Sequence, residues 1–422
     1  METVSPSNSA AEHDLPPALA GHTDWPWTAP PPAVEPARPW PRITVVTPSY
    51  NQGPYLEETI RSVLLQGYPN LEYRVIDGGS TDESVPVIRK YAPWLDCWVS
   101  ELDRGQSHAI EKGFAHATGT ILAWLNSDDL YEPGTLLAIG RHFLEHPQAV
   151  LIYGDAKLIN RDGSARKDRP SARAFDRQWL LEHSNLVPQP AAFFRADAFR
   201  AAGGLDEDLH YVMDWDLWLR LGAAGPADFI PRSLARMRIY PEAKYQAGGR
   251  LIHAELRRVI ERHGGRGLPA AVRRQLAQEQ LAAALDAYRR QDFAGGQAEL
   301  AYLFQNAPEW GGDTRRLAQA IAESGWRAFL AEAEPPLNFA RQVSAHLPPE
   351  AGPADAVRRQ ALGLLYEALA LFDFKAGRSA AARRQALGAM RADSRQLSNR
   401  GLWSLLARSF LPRRQPARPP QR

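Results

Sequence analysis

Four times in its first third the chain runs through a short apolar stretch and breaks at once into polar residues. Ile43-Thr44-Val45-Val46-Thr47 gives way to Pro48-Ser49-Tyr50-Asn51, and Tyr73-Arg74-Val75-Ile76 to Asp77-Gly78-Gly79-Ser80-Thr81-Asp82. The stretch Cys97 to Ser100 is followed by Glu101-Leu102-Asp103-Arg104-Gly105, and Ile121-Leu122-Ala123-Trp124-Leu125 by Asn126-Ser127-Asp128-Asp129. Helical patterns separate these runs. Tyr55, Ile60, Val63 and Leu64 have helical spacing; a second helix is expected from a cap at Ser80, Thr81 or Asp82 to about Tyr91; a third spans Gly105 to Ala117. Strand and helix in alternation predict an α/β fold, a mostly parallel sheet between helices. In such a sheet the strands end along one edge, and ligands bind there. Pro48 and Gly78 could simply make turns, and Asp77 and Asp103 could cap helices. Four polar ends on one rim favour a shared cleft.

The fourth end is the most telling. Asp128 and Asp129 repel unless a proton or cation relieves them, and a divalent ion bridging a carboxylate to a substrate phosphate would do so. The plainer alternative has these acids capping a helix opened by Glu132 and Pro133. Beyond them the pattern predicts a helix over 133–145, strands over 150–153 and 191–194, and a hairpin turn at Asp162-Gly163. A helix follows from Asp214 with Leu217, Trp218 and Leu221 on one face, then a half-buried strand over 234–239. From about Gly249 the composition shifts to Ala, Leu, Arg, Gln and Glu and reads as helix throughout. Two of its segments vaguely resemble tetratricopeptide helix pairs without a fixed period.

The expected domains are a Pro-rich flexible leader over 1–41, an α/β domain over 42–248, a helical domain over 249–411 and a basic tail over 412–422. Trp25, Trp27 and Trp40 are unusual for a free leader and are expected to pack on the α/β domain. A net charge of +2 over 422 residues argues against nucleic acid as a partner. The single cysteine, Cys97, excludes an intramolecular disulfide and a multi-cysteine zinc site. The sequence contains no apolar run near the ~20 residues of a membrane span and no signal pattern, so a cytoplasmic location is expected. Near the C-terminus, Trp403, Leu405, Leu406, Phe410 and Leu411 stand among arginines. They read either as a packed terminal helix or as an interfacial helix touching anionic lipid on the inner face of the membrane.

From Ile43 to about Lys244 the chain resembles glycosyltransferase family 2, the inverting enzymes with the GT-A nucleotide-sugar-binding fold, and most closely bacterial members that build O-antigen, capsule or other surface polysaccharide. The resemblance is carried by TPSYNQGPYLEETIRSVLLQGYPNLEYRVIDGGSTDES, ELDRGQSHAIEKGFAHATG, ILAWLNSDD and MDWDLWLRL, in that order. It implies a nucleotide-sugar donor, usually UDP-linked, a glycan or lipid-linked acceptor, and a Mg or Mn cofactor. Pro48, Ser49, Tyr50 and Asn51 would line the nucleotide pocket, with Gly78, Gly105, Asn126 and Ser127. Asp77 would accept a hydrogen bond from the base, and Asp103 would sit near base or ribose. Asp128, supported by Asp129, would hold the metal. Asp214 would be the catalytic base, with Asp216 a second catalytic candidate, and His210 and Trp215 would face the acceptor or phosphate. Two positions depart from the family pattern: Asn126 stands where Asp is common, and Glu111 where Asn is usual. Nucleotidyl transfer on a similar sheet and a non-catalytic scaffold, its helical region binding protein partners, are the rival readings.

Overall fold

The structure, a computed structural model, describes residues 15–18, 21, 24–27, 38–167, 172–244 and 248–410. The basic tail and most of the leader lie outside these residues. The chain divides into two compact units, 1–270 and 271–422. The helix Gly249–Arg262, the first of the C-terminal helical region, falls in the first unit.

The first unit is built on one eight-stranded sheet: β1 Ile43–Ser49, β2 Leu71–Asp77, β3 Cys97–Ser100, β4 Ile121–Trp124, β5 Leu130–Tyr131, β6 Leu151–Ile159, β7 Ala192–Arg195 and β8 Ala227–Arg238, in the order β3-β2-β1-β4-β7-β6-β8-β5. Its helices are α1 Gly53–Leu64, α2 Ser84–Tyr91, α3 Gln106–Ala115, α4 Thr135–Glu145, α5 Arg177–Glu182, α6 Ala196–Ala201, α7 Met213–Ala224 and α8 Gly249–Arg262. β1 to β4 are mutually parallel, as their β-branched runs foretold. β1 is buried at every position, and each fully buried Val or Ile there contributes about 1.5–3 kcal/mol. The register pairs Ser49 with Asp77, Asp77 with Ser100 and Val46 with Trp124, so the four polar ends emerge on the same edge.

The rest of the sheet is mixed. β7 runs antiparallel to β4 and β6, and β8 returns parallel to β6 across a bulge at Gly154–Ala156. The residues after Asp129 do not open a helix. Leu130-Tyr131 forms β5, paired antiparallel with Ala235 and Arg236, and α4 begins only after Gly134. The capping alternative for the two acids is therefore wrong. The turn at Asp162-Gly163 forms as expected, closed by an Ile159–Ala165 bridge. Trp218 is core, stacked on Trp124 at 5.7 Å and 13°.

The described residues of the leader are not a free tail. Trp25 donates from Nε1 to the Tyr131 carbonyl at 2.8 Å, and Trp40 packs edge-on to Tyr68. Arg61, on α1 and 4% exposed, donates to the carbonyls of Pro16, Pro26 and Trp27 and to the Tyr91 hydroxyl, with the Trp27 ring 5.0 Å from its guanidinium. The segment holds because it satisfies a buried charge.

The second unit is helical over its described residues: α9 Ala270–Arg289, α10 Phe293–Asn306, α11 Thr314–Leu330, α12 Pro336–Ala345, α13 Ala354–Lys375, α14 Ser379–Ala392 and α15 Arg400–Ser409. Asp292, Asp313 and Asn399 cap α10, α11 and α15 through their side chains. Ala370, Ala382, Ala386 and Ala389 let α13 and α14 approach closely beneath Leu402, Leu405 and Leu406 of α15. The terminal helix is thus packed on its neighbours, while Trp403 and Phe410 face solvent. Among the described residues, no helix is long and apolar enough to cross a membrane.

Candidate active site

A cleft of about 980 Å³ opens where β1, β2 and β4 end. Pro48, Ser49 and Tyr50 line it from the first strand end, Gly78 from the second, Asp103 and Gly105 from the third, and Asn126, Ser127, Asp128 and Asp129 from the fourth. His210, Asp214 and Trp215 close it from the loop before α7 and that helix's first turn. Thirteen of the residues expected from sequence therefore share one cavity. Close approach of the second and third strand ends needs Gly78, because a Cβ there would lie 2.6 Å from Asp103 Oδ2.

Three expected residues do not line the cleft. Asp77 is fully buried beneath it. Its oxygens accept from the backbone N–H groups of Gly79 and Ser80 and from the hydroxyls of Ser80 and Ser100. It shapes the loop wall, and its acceptors are directed at the protein. Asn51, at a positive φ of 51°, turns its side chain to the Thr81 N–H at 2.9 Å and so joins the first two loops. Asp216 is fully buried on the far side of α7, bound by Arg220 at 2.8 Å, His263 at 3.0 Å and Arg262 at 3.4 Å. Its carboxyl is held below the ordinary value: burial opposes ionisation, but the His263 hydrogen bond and the Arg220 charge outweigh it.

The two adjacent acids have separate surroundings. Asp128 Oδ2 accepts from the Tyr240 hydroxyl at 2.8 Å. Asp129 Oδ1 accepts from the Arg238 N–H at 2.9 Å, and its Oδ2 from the Asn126 amide at 3.3 Å. Both carboxyls are pushed up, Asp128 by burial and Asp129 by burial first and then by the Asp128 charge. Asn126 completes an amide chain. It donates to Gln189 at 3.0 Å and accepts from Gln106 at 2.6 Å, while Gln189 donates to the Trp124 carbonyl at 2.8 Å. An ionised Asp at position 126 could donate to neither Asp129 nor Gln189. Glu111, the other departure, accepts from the Leu205 N–H at 2.5 Å and fixes the Gly203-Gly204 loop. Gly204, at a φ of 75°, is required there because a Cβ would lie 2.7 Å from Glu111 Oε1.

Asp214 stands half-buried at the cleft wall, its Oδ2 accepting from Asn185 at 3.2 Å. Burial pushes its carboxyl up to about 6, against hydrogen bonds from its own helix turn and from Asn185. Lys244, at the lip, donates to Gln106 at 2.9 Å, and desolvation brings its ammonium down to about 8 against the charges of Glu255, Asp103 and Asp214. Glu255 of α8 accepts from the N–H groups of His210 and Tyr211 and so holds the loop before α7. Ser49 and Trp124 belong to the residues that line the cleft, and their Oγ and Nε1 atoms are buried with no hydrogen-bond partner among the described residues.

The family model for "Glycosyl transferase family 2" matches residues 44–202. The PGL/p-HBAD biosynthesis glycosyltransferase of Mycobacterium bovis is 32% identical over 184 residues, spanning 43% of this chain and 69% of that protein. The chain belongs to glycosyl transferase family 2. An uncharacterized glycosyltransferase of Mycobacterium tuberculosis is also 32% identical over 184 residues, or 68% of its length. One of Rickettsia prowazekii is 26% identical over 215 residues, covering 47% of this chain and 64% of that one. Among solved structures, S. aureus TarS 1-349 in complex with UDP-GlcNAc overlaps 78% of this chain and 91% of its own at 15% identity and a TM-score of 0.44. This family 2 enzyme carries its GT-A-like sheet and helices over residues 43–240, followed by helices from 249 to 409.

The cleft suits the divalent cation common in the family. A hard cation at a phosphate site takes one or two carboxylates and completes its shell with water and phosphate oxygens. Asp128 offers such a carboxylate to the cleft; Asp129 is turned into the protein. Sequence reasoning missed Arg238, Tyr240, Asn185, Gln106, Gln189 and Lys244. Arg238 is the most consequential: 4% exposed, it donates to the Asp128 carbonyl at 3.0 Å and to Glu58 at 2.6 Å. Its alternation with Met237 and Ile239 marks a strand, but nothing in that pattern reveals an inward charge.

Proposed function

We propose that this glycosyltransferase moves a sugar from a UDP-linked donor to a hydroxyl of a glycan or lipid-linked acceptor, with inversion, in the synthesis of a bacterial surface polysaccharide such as O-antigen. The observation that carries this reading is the placement of Asp128 and Asp214 in the walls of one cleft, with the Asp214 carboxyl at about 6. A carboxylate at that value is ionised at neutral pH and still basic enough to take a proton from an attacking hydroxyl. Asp214 is the base; Asn185 orients it, and α7 presents it from its first turn. On the donor side, Pro48 and Ser49 line the cleft toward the nucleotide, and Asp128 would hold Mg or Mn. When bound, the cation stabilises negative charge developing on the departing diphosphate. Lys244 adds a second positive charge at the cleft mouth, favouring the anionic leaving group. Asp103 and Gly105 face the ribose and base, and His210 and Trp215 face the acceptor.

The acceptor side is apolar. Leu186, Val187, Pro190, Met213 and Trp215 all contribute to the cleft, which supports an acceptor carrying a lipid or other apolar group. Asn51, Asp77 and Asp216 have no direct part in this scheme. The enzyme works at the inner face of the cell membrane, with α15 presenting Trp403, Phe410 and its arginines to anionic lipid. A panel of nucleotide sugars tested with Mn for thermal stabilisation and donor hydrolysis provides the test. One UDP-sugar is expected to stabilise the protein and be hydrolysed slowly, with hydrolysis lost in Asp214→Asn and binding retained. Binding of nucleoside triphosphate with sugar 1-phosphate instead would move the protein to nucleotidyl transfer.

A further inference from the structure

On the opposite edge of the sheet, two histidines and an aspartate converge. His142 and His146 lie one turn apart at the C-terminal end of α4, and Asp228 is the second residue of β8. β7 reverses direction between β4 and β6, so β6 and β8 run the same way as β4. Asp228, paired with Ile152 near the start of β6, therefore sits at the amino-terminal edge, while the cleft lies at the carboxyl-terminal edge.

We propose that His142, His146 and Asp228 form a transition-metal site of the zinc class, separate from the catalytic cation. His142 Nε2 and His146 Nδ1 each lie 3.1 Å from the same atom, Asp228 Oδ2. All three ligand atoms lie within 4.8 Å of one another, and among the described residues no other group of three His, Cys, Asp or Glu side chains meets that condition. A tetrahedral ion with bonds of about 2.0–2.1 Å sets neighbouring ligand atoms about 3.3 Å apart, so two edges of the site are already near their bound length. The imidazoles are stacked with centroids 4.1 Å apart and planes within 2°. Stacked in this way, the two rings can each aim one ring nitrogen at a single ion. Two imidazoles and a carboxylate suit Zn, Co or Ni, while Mg and Mn prefer oxygen sets. The side chains are 23%, 43% and 27% exposed, which leaves a route for the ion and room for water as fourth ligand. A bound ion would clamp the end of α4 to the start of β8, a structural task that does not touch the reaction.

The test uses the full chain without an affinity tag. Co titration is followed by visible absorption, and Zn by thermal unfolding, in the wild type, Asp128→Ala, His146→Gln and His142→Gln/His146→Gln. Gln keeps a hydrogen bond to Asp228 but is a poor ligand for these ions. Tetrahedral Co absorption saturating at one equivalent is expected in the wild type and in Asp128→Ala. Zn at a hundredfold excess over its Kd should raise the Tm by about 5 °C. His146→Gln should weaken Co binding at least tenfold and the double variant should abolish it, with donor hydrolysis unchanged in both. Unfolding without metal shows whether the double variant is folded; should it not be, His146→Gln alone decides. Wild-type protein without a Co spectrum, or His146→Gln binding Co as tightly as wild type, overturns the site.

Discussion

Asp214→Asn should destroy turnover and make the protein more stable. The Asp214 carboxyl is displaced from 3.8 to about 6, chiefly by burial. At 1.36 kcal/mol per pH unit this corresponds to about 3 kcal/mol for holding the charge in the folded chain. Water in the open cleft screens part of it, leaving about 1–2 kcal/mol. The folded value lies above the unfolded one, so the fold binds the proton more tightly. The penalty is absent below pH 3.8, grows between 3.8 and 6, and is complete at neutral pH. Asn bears no charge and escapes it, and it can still accept from Asn185. Urea unfolding at pH 7.5 should show the variant more stable by about 1–2 kcal/mol, with the gain vanishing near pH 4. Glycosyl transfer should fall by about 10²–10⁴, the usual worth of a general base, while donor binding persists. The wild-type kcat should fall tenfold per pH unit below about 6. A variant with wild-type turnover, an acid limb near 4, or lower stability at pH 7.5 would refute the reasoning.

Asp216→Asn should behave oppositely. Its carboxyl is held low by His263 and Arg220, so its contribution is present above the unfolded value and disappears as pH falls through the folded one; the variant should lose about 3 kcal/mol in urea unfolding at pH 7. Asn126→Asp removes the amide donor to Asp129 and Gln189 and adds a third carboxylate, so stability should drop by about 1–3 kcal/mol at pH 7 and partly recover at pH 5. Asp128→Ala should abolish the Mn dependence of turnover, measured as initial rate against Mn concentration; an unchanged response to a chelator would remove Asp128 from the metal site.

The carboxyl-terminal rim was legible because periodicity reports burial and strand ends follow from it. Val45 and Val46 can only be interior; Pro48, expected to break the strand, instead sits within it opposite Ile76, and β1 runs on to Ser49. The mixed half of the sheet was not legible: strand direction depends on partners, and β5 is two residues long, too short to carry a period. Within the site, residue type pointed to acids that do reach the cleft, Asp103, Asp128, Asp129 and Asp214, but not to the orientation of the others. Asp77 and Asn51 sit at the expected ends, yet their acceptors serve neighbouring N–H groups. For Asp216 a signal was available. At about 100° per residue, positions two apart on a helix face nearly opposite ways, so Asp214 and Asp216 could not both reach the cleft. Arg238 was hidden because a buried arginine is unusual and its partners lie on three other segments.

Arg61 draws the boundary of the fold in a place homology does not. The family match begins at residue 44, but three carbonyls that complex this guanidinium belong to residues 16, 26 and 27. A fragment cut at residue 42 would keep the whole sheet and every cleft residue, yet strip Arg61 of these three carbonyls and of the Trp27 ring, leaving the Tyr91 hydroxyl and water in their place. The lost hydrogen bonds to a charged group, partly replaced by water, are worth about 1–3 kcal/mol, a fair share of what holds a typical domain together, and urea unfolding of the fragment against the full chain would measure it. The stretch shared with relatives and the stretch that satisfies Arg61 are different lengths of the same chain.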